Sequence, residues 1–263
     1  MLAKLMKHEL KATARLLIPM DIILLCISMI NHFTFQMGIR EGAPGLIVEF
    51  LINIQVLFSI AILVVTAIFM IARFHKNLLS DEGYLMFTLP VKVHQLITSK
   101  LIITLFWILI GFIVLFLSWG IVVFNPGDMG LIIDTIQRSL LQLQLSFGNS
   151  WIFIAVEFII LALLGLVANI LLVYVSIAIG QLFTKHKIIA SFISYGILYT
   201  IIQWGMLAIL SGLSFILYNN TNFSTIATVP QVIFPVAIGA VLIGCIVFYL
   251  ATNYIFQKKL NLE

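Results

Sequence analysis

The sequence predicts an all-α, polytopic membrane protein with six transmembrane helices. Of its 263 residues, 62% are hydrophobic and only 9% are charged, and the mean hydropathy is +1.19. A soluble domain of this size would carry roughly a quarter of charged residues. Six segments reach the about 20 predominantly apolar residues that a membrane-crossing helix needs. Composition and segment length therefore indicate the same fold class.

The six predicted spans fill most of the chain and leave no room for a separate soluble domain. We therefore expect a single transmembrane domain over residues 1–263. The spans are placed at Leu16–Gln36, Leu46–Ala72, Leu101–Phe124, Trp151–Ile179, Ile188–Tyr218 and Gln231–Phe256.

The basic residues predict the orientation of these spans. With the N-terminus in the cytoplasm, only Arg40 and Arg138 of the fourteen Lys and Arg residues fall outside. This bias follows the positive-inside rule, and an even number of spans returns the C-terminus to the cytoplasm. The net charge of +4 is thus a topology signal, and we expect no nucleic acid partner. The cytoplasmic basic residues are Lys4, Lys7, Lys11, Arg15, Arg73, Lys76, Lys92, Lys100, Lys185, Lys187, Lys258 and Lys259.

Residues 1–15 have the pattern of an amphipathic helix that lies in the inner membrane interface. Lys4, Lys7, Lys11 and Arg15 recur at helical spacing and would contact anionic lipid headgroups. The side opposite these basic residues is apolar. An ordinary basic flank of the first span is the alternative. No small-residue cleavage site follows, so we do not expect the segment to be a cleavable signal peptide.

The most informative stretch is a polar island over residues 73–100, between the second and third spans. Ser80, Asp81 and Glu82 supply an N-cap and an acidic first turn for a short helix. Pro90 then breaks the chain before a second helix runs towards Lys100. A short helix at the cytoplasmic surface is a docking element more often than a catalytic one.

The outer side carries one notable segment, residues 125–150. It begins with the turn-forming Asn-Pro-Gly-Asp and continues with apolar and polar residues at helical intervals. We expect an amphipathic helix on the outer leaflet. A cap over an external vestibule is the alternative.

Three acidic residues fall inside the predicted spans, where a charge costs several kcal/mol. Asp21 could pair with a basic residue at the inner interface, and Glu49 is placed at the outer interface. Glu157 is the candidate for a polar pathway, together with the amides of Asn53 and Gln203. The alternative for all of these is interfacial snorkelling or a structural hydrogen bond between helices.

The chemical motifs of several function classes are missing from the sequence. There is no GxxxxGK[ST] for a nucleotide, and no GxSxG or HExxH for a hydrolase or protease. Cys26 and Cys245 belong to no metal-ligand or disulfide pattern. We therefore expect no catalytic residues, no metal and no cofactor on this chain, and we do not expect it to be an enzyme.

The polar island resembles the loop between spans two and three of permeases of the type-2 ABC export family. The resemblance is carried by Glu82-Gly83, by Thr88-Leu89-Pro90-Val91-Lys92 and by Lys100 at the start of the third span. KNLLSDEGYLMFTLPV is similar to small six-span permeases of Gram-positive bacteria, and MLAKLMKHELKAT to the family's interfacial connecting helix. With the six-span count, the resemblance extends over the whole chain.

The resemblance implies that residues 81–89 form a short cytoplasmic coupling helix, inserted in a separately encoded ATP-binding subunit that holds ATP and Mg²⁺. Glu82 would make a polar contact and Gly83 would allow close backbone approach. The apolar anchors would be Tyr84, Phe87 and Leu89. The full set of implied coupling residues is Asp81, Glu82, Gly83, Tyr84, Phe87, Leu89 and Pro90.

The implied protein is a multi-pass permease of the bacterial plasma membrane, paired with a second identical or related copy. It would export a substrate that no residue pattern identifies. One departure is the short outer link between spans five and six, where many relatives have a re-entrant helix. The alternatives are a drug-sensing or resistance module and, more remotely, an intramembrane enzyme.

Overall fold

A computed structural model of the chain describes residues 2–36, 43–79, 93–123, 129–183, 185–219 and 228–258. These ranges are almost entirely helical and contain no β-strand. A three-residue 3₁₀ turn, Gly148–Ser150, joins α4 to α5. The helices are α1 (Leu2–Gln36), α2 (Ala43–Leu79), α3 (Val93–Val123), α4 (Met129–Phe147), α5 (Trp151–Gly180), α6 (Lys187–Asn219) and α7 (Thr228–Lys258).

Six of these helices are long and apolar enough to cross a membrane, and α4 is the exception. Each predicted span falls on one of the six, which confirms both their number and their order. A helix satisfies its own backbone hydrogen bonds, which is why it is a viable way for a chain to cross hydrocarbon. The chain is therefore a multi-pass membrane protein.

The chain divides into two compact units, and the first covers Met1–Ile132. In it, α1 packs along both α2 and α3, and α2 also packs on α3. A core of Leu17, Met70, Ile103 and Trp107 joins the three helices. Each of the three helices thus contributes a side chain to one buried cluster.

The N-terminal residues continue directly into the first span. α1 runs as one helix from Leu2 to Gln36, through Pro19. Met6 and Leu10 pack against the core of the first unit, on the side that the sequence assigned to the lipid interface. The four basic residues of the predicted interfacial helix are exposed, as their spacing indicated. An orientation in the plane of the membrane remains a prediction.

α4 is the amphipathic helix expected between residues 125 and 150. None of its side chains is buried. Asp134 and Arg138 form an ion pair one helical turn apart, with 3.1 Å between Oδ2 and Nη2. Contact of α4 with the outer leaflet remains a prediction.

The second unit covers Ile133–Glu263, and in it α5 packs against both α6 and α7. The C-terminal half of α5 forms its core, with Leu171, Tyr174 and Ala178 among the buried side chains. Gly180 lies so close to the start of α6 that an added Cβ would be 2.8 Å from the Lys187 carbonyl oxygen. The turn between these helices therefore requires glycine at this position.

Two helices extend into the polar island, α2 from its N-terminal side and α3 from its C-terminal side. α2 continues to Leu79, and α3 begins at Val93 and runs through Lys100. The second helix expected after Pro90 is therefore confirmed. The predicted coupling residues, Asp81 to Pro90, lie outside the described residues.

Candidate functional site

The candidate site is an ion cluster at the end of the first unit where the polar island attaches. The carboxylate of Glu9 accepts a hydrogen bond from Arg73 Nε at Oε2 (2.7 Å) and from Lys100 Nζ at Oε1 (2.8 Å). One side chain of α1 thereby holds one side chain of α2 and one of α3. We refer to Glu9, Arg73 and Lys100 as the ion triad.

The order of the helices explains why these three residues meet. α1 and α3 run in the same direction, and α2, which lies between them in the sequence, runs in the opposite direction. The start of α1, the end of α2 and the start of α3 therefore lie at the same end of the first unit. Glu9 is near the start of α1, Arg73 near the end of α2 and Lys100 near the start of α3. Residues separated by 64 and 91 positions are thus brought together by topology.

The ion triad is largely shielded from its surroundings. The side chain of Lys100 is 5% exposed, that of Glu9 is 10% and that of Arg73 is 25%. Charge-assisted hydrogen bonds are stronger than neutral ones, and both oxygens of Glu9 accept one here. Burial of a lone charge is costly, so each of these side chains needs the others. The triad therefore holds the ends of α1, α2 and α3 together.

A neutral hydrogen bond lies one turn further along α1. The indole N–H of Trp107 donates to Thr13 Oγ1 (2.7 Å), and the Thr13 hydroxyl donates back to the Glu9 carbonyl (2.9 Å). Thr13 is completely buried. Trp107 also belongs to the apolar core, so the ion triad, this hydrogen bond and the core form successive layers between α1 and α3.

A second polar cluster joins the same three helices further along the spans. Gln55 of α2 donates through Nε2 to Ser118 Oγ of α3 (3.1 Å) and to Ser28 Oγ of α1 (3.4 Å). The two serine hydroxyls are 2.6 Å apart, and Asn31 donates to the Gln55 side-chain oxygen. All of these side chains are buried. Gln55 therefore hydrogen-bonds across the interfaces that α2 makes with α1 and α3.

The three pathway candidates are divided between the two units, with Asn53 in the first and Glu157 and Gln203 in the second. Asn53 is exposed and donates to the carbonyl of Glu49 in its own helix (3.0 Å). Glu157 is half-buried on α5, and its Oε2 has no hydrogen-bond partner among the described residues. Gln203 is exposed on α6. No hydrogen bond links Glu157 to Gln203 in the part of the chain that the structure describes.

Asp21, for which the sequence suggested a basic partner, is not paired with one among the described residues. Arg15 precedes it by less than two helical turns. The described ranges also contain no group of three or more His, Cys, Asp or Glu side chains that could hold a metal ion.

Sequence reasoning missed Glu9, because it assigned residues 1–15 to the lipid interface and looked for acids only inside the spans. The signal was present: Glu9 is the one acid among the first fifteen residues. It shares a helical face with Thr13 and Leu17, at spacings of four residues. Arg73 and Lys100 mark the ends of two further spans on the same predicted side.

The fold is that of a multi-pass membrane protein, and the ion triad joins three of its helices at one end of the first unit. Comparison of the chain with protein-family models, with curated proteins and with solved structures found no match.

Proposed function

We propose that this chain is the membrane-spanning permease subunit of an ATP-driven exporter of the type-2 ABC family. It has no catalytic activity of its own. Two copies, or one copy and a related chain, pair in a bacterial plasma membrane with both termini in the cytoplasm. Separate ATP-binding subunits hold ATP and Mg²⁺, and their closure drives the membrane helices between inward- and outward-facing states.

The observation that carries the proposal is the position of the ion triad around the polar island. Arg73 precedes residues 80–92 and Lys100 follows them, and both are bonded to Glu9. The helices on either side of the island are thus fixed to α1 at this end. If the ATP-binding subunit displaced the island, the three spans would therefore move together, which is what a coupling loop requires.

Within the proposal, residues 81–89 are the coupling helix. Glu82 provides a polar contact to the ATP-binding subunit, and Tyr84, Phe87 and Leu89 provide apolar ones. Gly83 allows the two backbones to approach closely, since it has no side chain. The basic residues of the first fifteen hold the start of α1 against anionic headgroups.

The test is purification of the chain from its native membrane in mild detergent, with mass spectrometry of the proteins that co-elute. The proposal expects a stoichiometric partner that contains a P-loop. It also expects Gly83→Trp to lower the recovery of that partner, because the added ring obstructs docking. Glu82→Ala should weaken docking in the same direction.

The matched control is Gly130→Trp, which adds the same ring at an open position of α4. It should leave recovery of the partner unchanged. The proposal fails if the chain is recovered alone after cross-linking at residues 81–89. It also fails if Gly83→Trp and Glu82→Ala retain the partner as well as the unaltered chain does.

A further inference from the structure

α4 carries a continuous row of apolar side chains along one side, which we call the apolar stripe. Residues three and four positions apart lie on the same face of a helix. At this spacing the stripe consists of Met129, Ile133, Ile136, Leu140, Leu143 and Phe147. The opposite side carries Asp134, Arg138 and Gln142, and Leu131 and Leu145 also lie on that side. The stripe therefore runs the whole length of the helix.

The apolar stripe is not packed into the protein by the residues that the structure describes. None of the side chains of α4 is buried. Four consecutive members of the stripe, Ile133, Ile136, Leu140 and Leu143, are 51%, 54%, 43% and 43% exposed. A contiguous apolar surface of this kind is unfavourable in water and marks a site of contact with lipid or protein.

The chain itself holds α4 at the membrane surface. Residues 124–128 separate it from α3, and five residues can extend over at most about 20 Å. Only the turn Gly148–Ser150 separates it from α5. α5 begins at Trp151, a residue type enriched at the membrane–water interface. Ile152 and Phe153 follow and are exposed, so the lipid-facing surface of α5 begins next to α4.

The charges of α4 indicate which kind of lipid surface it fits. Asp134 and Arg138 are its charged residues, and they form an ion pair with each other. Interfacial helices that depend on anionic lipids carry several Lys or Arg residues on the polar face. α4 has no net charge, so only burial of the apolar stripe can hold it on a membrane. A surface of neutral, zwitterionic phospholipid satisfies that requirement.

A second copy of the chain fits the apolar stripe less well. The stripe alternates steps of four and three residues, which is also the spacing of a coiled coil. A stable coiled coil needs about three or more heptads with charged residues beside the seam. α4 has 19 residues, which is fewer than three heptads. The residues beside its seam are uncharged, namely Gln137, Ser139, Gln144 and Ser146.

We propose that α4 lies along the membrane surface, with the apolar stripe inserted at the boundary between the headgroups and acyl chains of neutral phospholipids. The ion pair of Asp134 and Arg138 faces the water. This inference rests on α4 and its connections, and it does not depend on the proposed function.

The test is the accessibility of nitroxide spin labels on single cysteines in the full-length chain, with Cys26 and Cys245 replaced by alanine. The chain is reconstituted in phosphatidylcholine vesicles. A label at Leu140→Cys should collide several-fold more often with oxygen, which concentrates in hydrocarbon, than with a water-soluble nickel complex. Leu145→Cys is the matched control, since it is the same replacement on the polar side, and its label should show the reverse.

A second pair of adjacent positions guards against an effect of one label. Leu143→Cys should behave as Leu140→Cys does, and Gln142→Cys as Leu145→Cys does. All four positions are exposed, so the labels do not disturb a packed core. The same accessibilities after part of the phosphatidylcholine is replaced by phosphatidylglycerol would support binding through the apolar stripe alone.

Three results would overturn the proposal. The first is equal access of the nickel complex to Leu140→Cys and Leu145→Cys, which would place both sides of α4 in water. The second is protection of the Leu140→Cys label from both reagents with spectral broadening between labels, which would show that a second copy covers the stripe. The third is oxygen contact at Leu140→Cys only when phosphatidylglycerol is present.

Discussion

Glu9 and Lys100 are 91 positions apart in the chain, yet Lys100 Nζ lies 2.8 Å from Glu9 Oε1. The same carboxylate also accepts a hydrogen bond from Arg73. These two basic residues are the first and the last of the polar island, so one acidic side chain is bonded to both of its ends. The ion triad is thus the place where stability and the proposed coupling can both be tested.

Replacement of Glu9 by glutamine should lower the free energy of unfolding by about 3 kcal/mol, because removal of one member of a buried ion pair leaves the other charges poorly compensated. The measurement is unfolding of the purified chain in mixed micelles. Asp134→Asn is the control, since its ion pair with Arg138 is exposed and worth at most about 1 kcal/mol. If Glu9→Gln lost no more stability than Asp134→Asn, the triad would contribute no more to the fold than an exposed ion pair does.

Trp107→Phe and Thr13→Val should each destabilise the chain by about 1 kcal/mol, because each removes one partner of a buried hydrogen bond. The double variant should lose less than the two single losses added together. A double-mutant cycle on unfolding free energies measures this coupling. Strict additivity would mean that the hydrogen bond contributes nothing to stability.

Gln55→Leu and Asn53→Leu form a matched pair of amide replacements two positions apart on α2. Gln55→Leu should destabilise the chain by about 1–3 kcal/mol, since it removes the buried amide that donates to both serine hydroxyls and accepts from Asn31. Asn53→Leu should have little effect, because Asn53 is exposed and bonds only within its own helix. The measurement is thermal unfolding of both variants. An equal loss of stability in the two would contradict the interhelical role of Gln55.

Gly180→Ala should destabilise the second unit by about 1–3 kcal/mol, as overpacking does in other cores. The added Cβ would lie 2.7 Å from the backbone nitrogen of Ser191, which cannot move away as a flexible side chain would. Gly196→Ala is the control, because nothing lies within 4 Å of a Cβ there. Since alanine is the better helix former, that variant should be unchanged or slightly more stable. Indistinguishable melting temperatures would argue against close packing at Gly180.

Much of the architecture could be predicted because hydrophobicity is a local property. The six spans, the helix that begins at Val93 and the amphipathic pattern of α4 can each be read from one continuous segment. The packing side of the N-terminal residues was harder to predict. Their apolar side suits a lipid surface and a protein core equally well, and in the structure Met6 and Leu10 pack on the core.

The surroundings of the polar residues were even harder to predict from the sequence. Asn53 and Gln55 are chemically alike and two positions apart, and only the rotation of α2 makes one exposed and the other buried. Asp21 has Arg15 close by in sequence, yet it forms no ion pair with a described basic residue. Glu157 is half-buried on α5, and Gln203 is exposed on α6.

The sequence by itself determined that this is a helical, multi-pass membrane protein, since the apolar length of each segment decides whether it can cross hydrocarbon. The tertiary structure decided which polar side chains meet: Glu9 with Arg73 and Lys100, Thr13 with Trp107, and Gln55 with two serines. The physical reason is that insertion depends on composition summed along one segment. Pairing depends on the rotation and axial position of one helix against another, and those are set by contacts between distant parts of the chain.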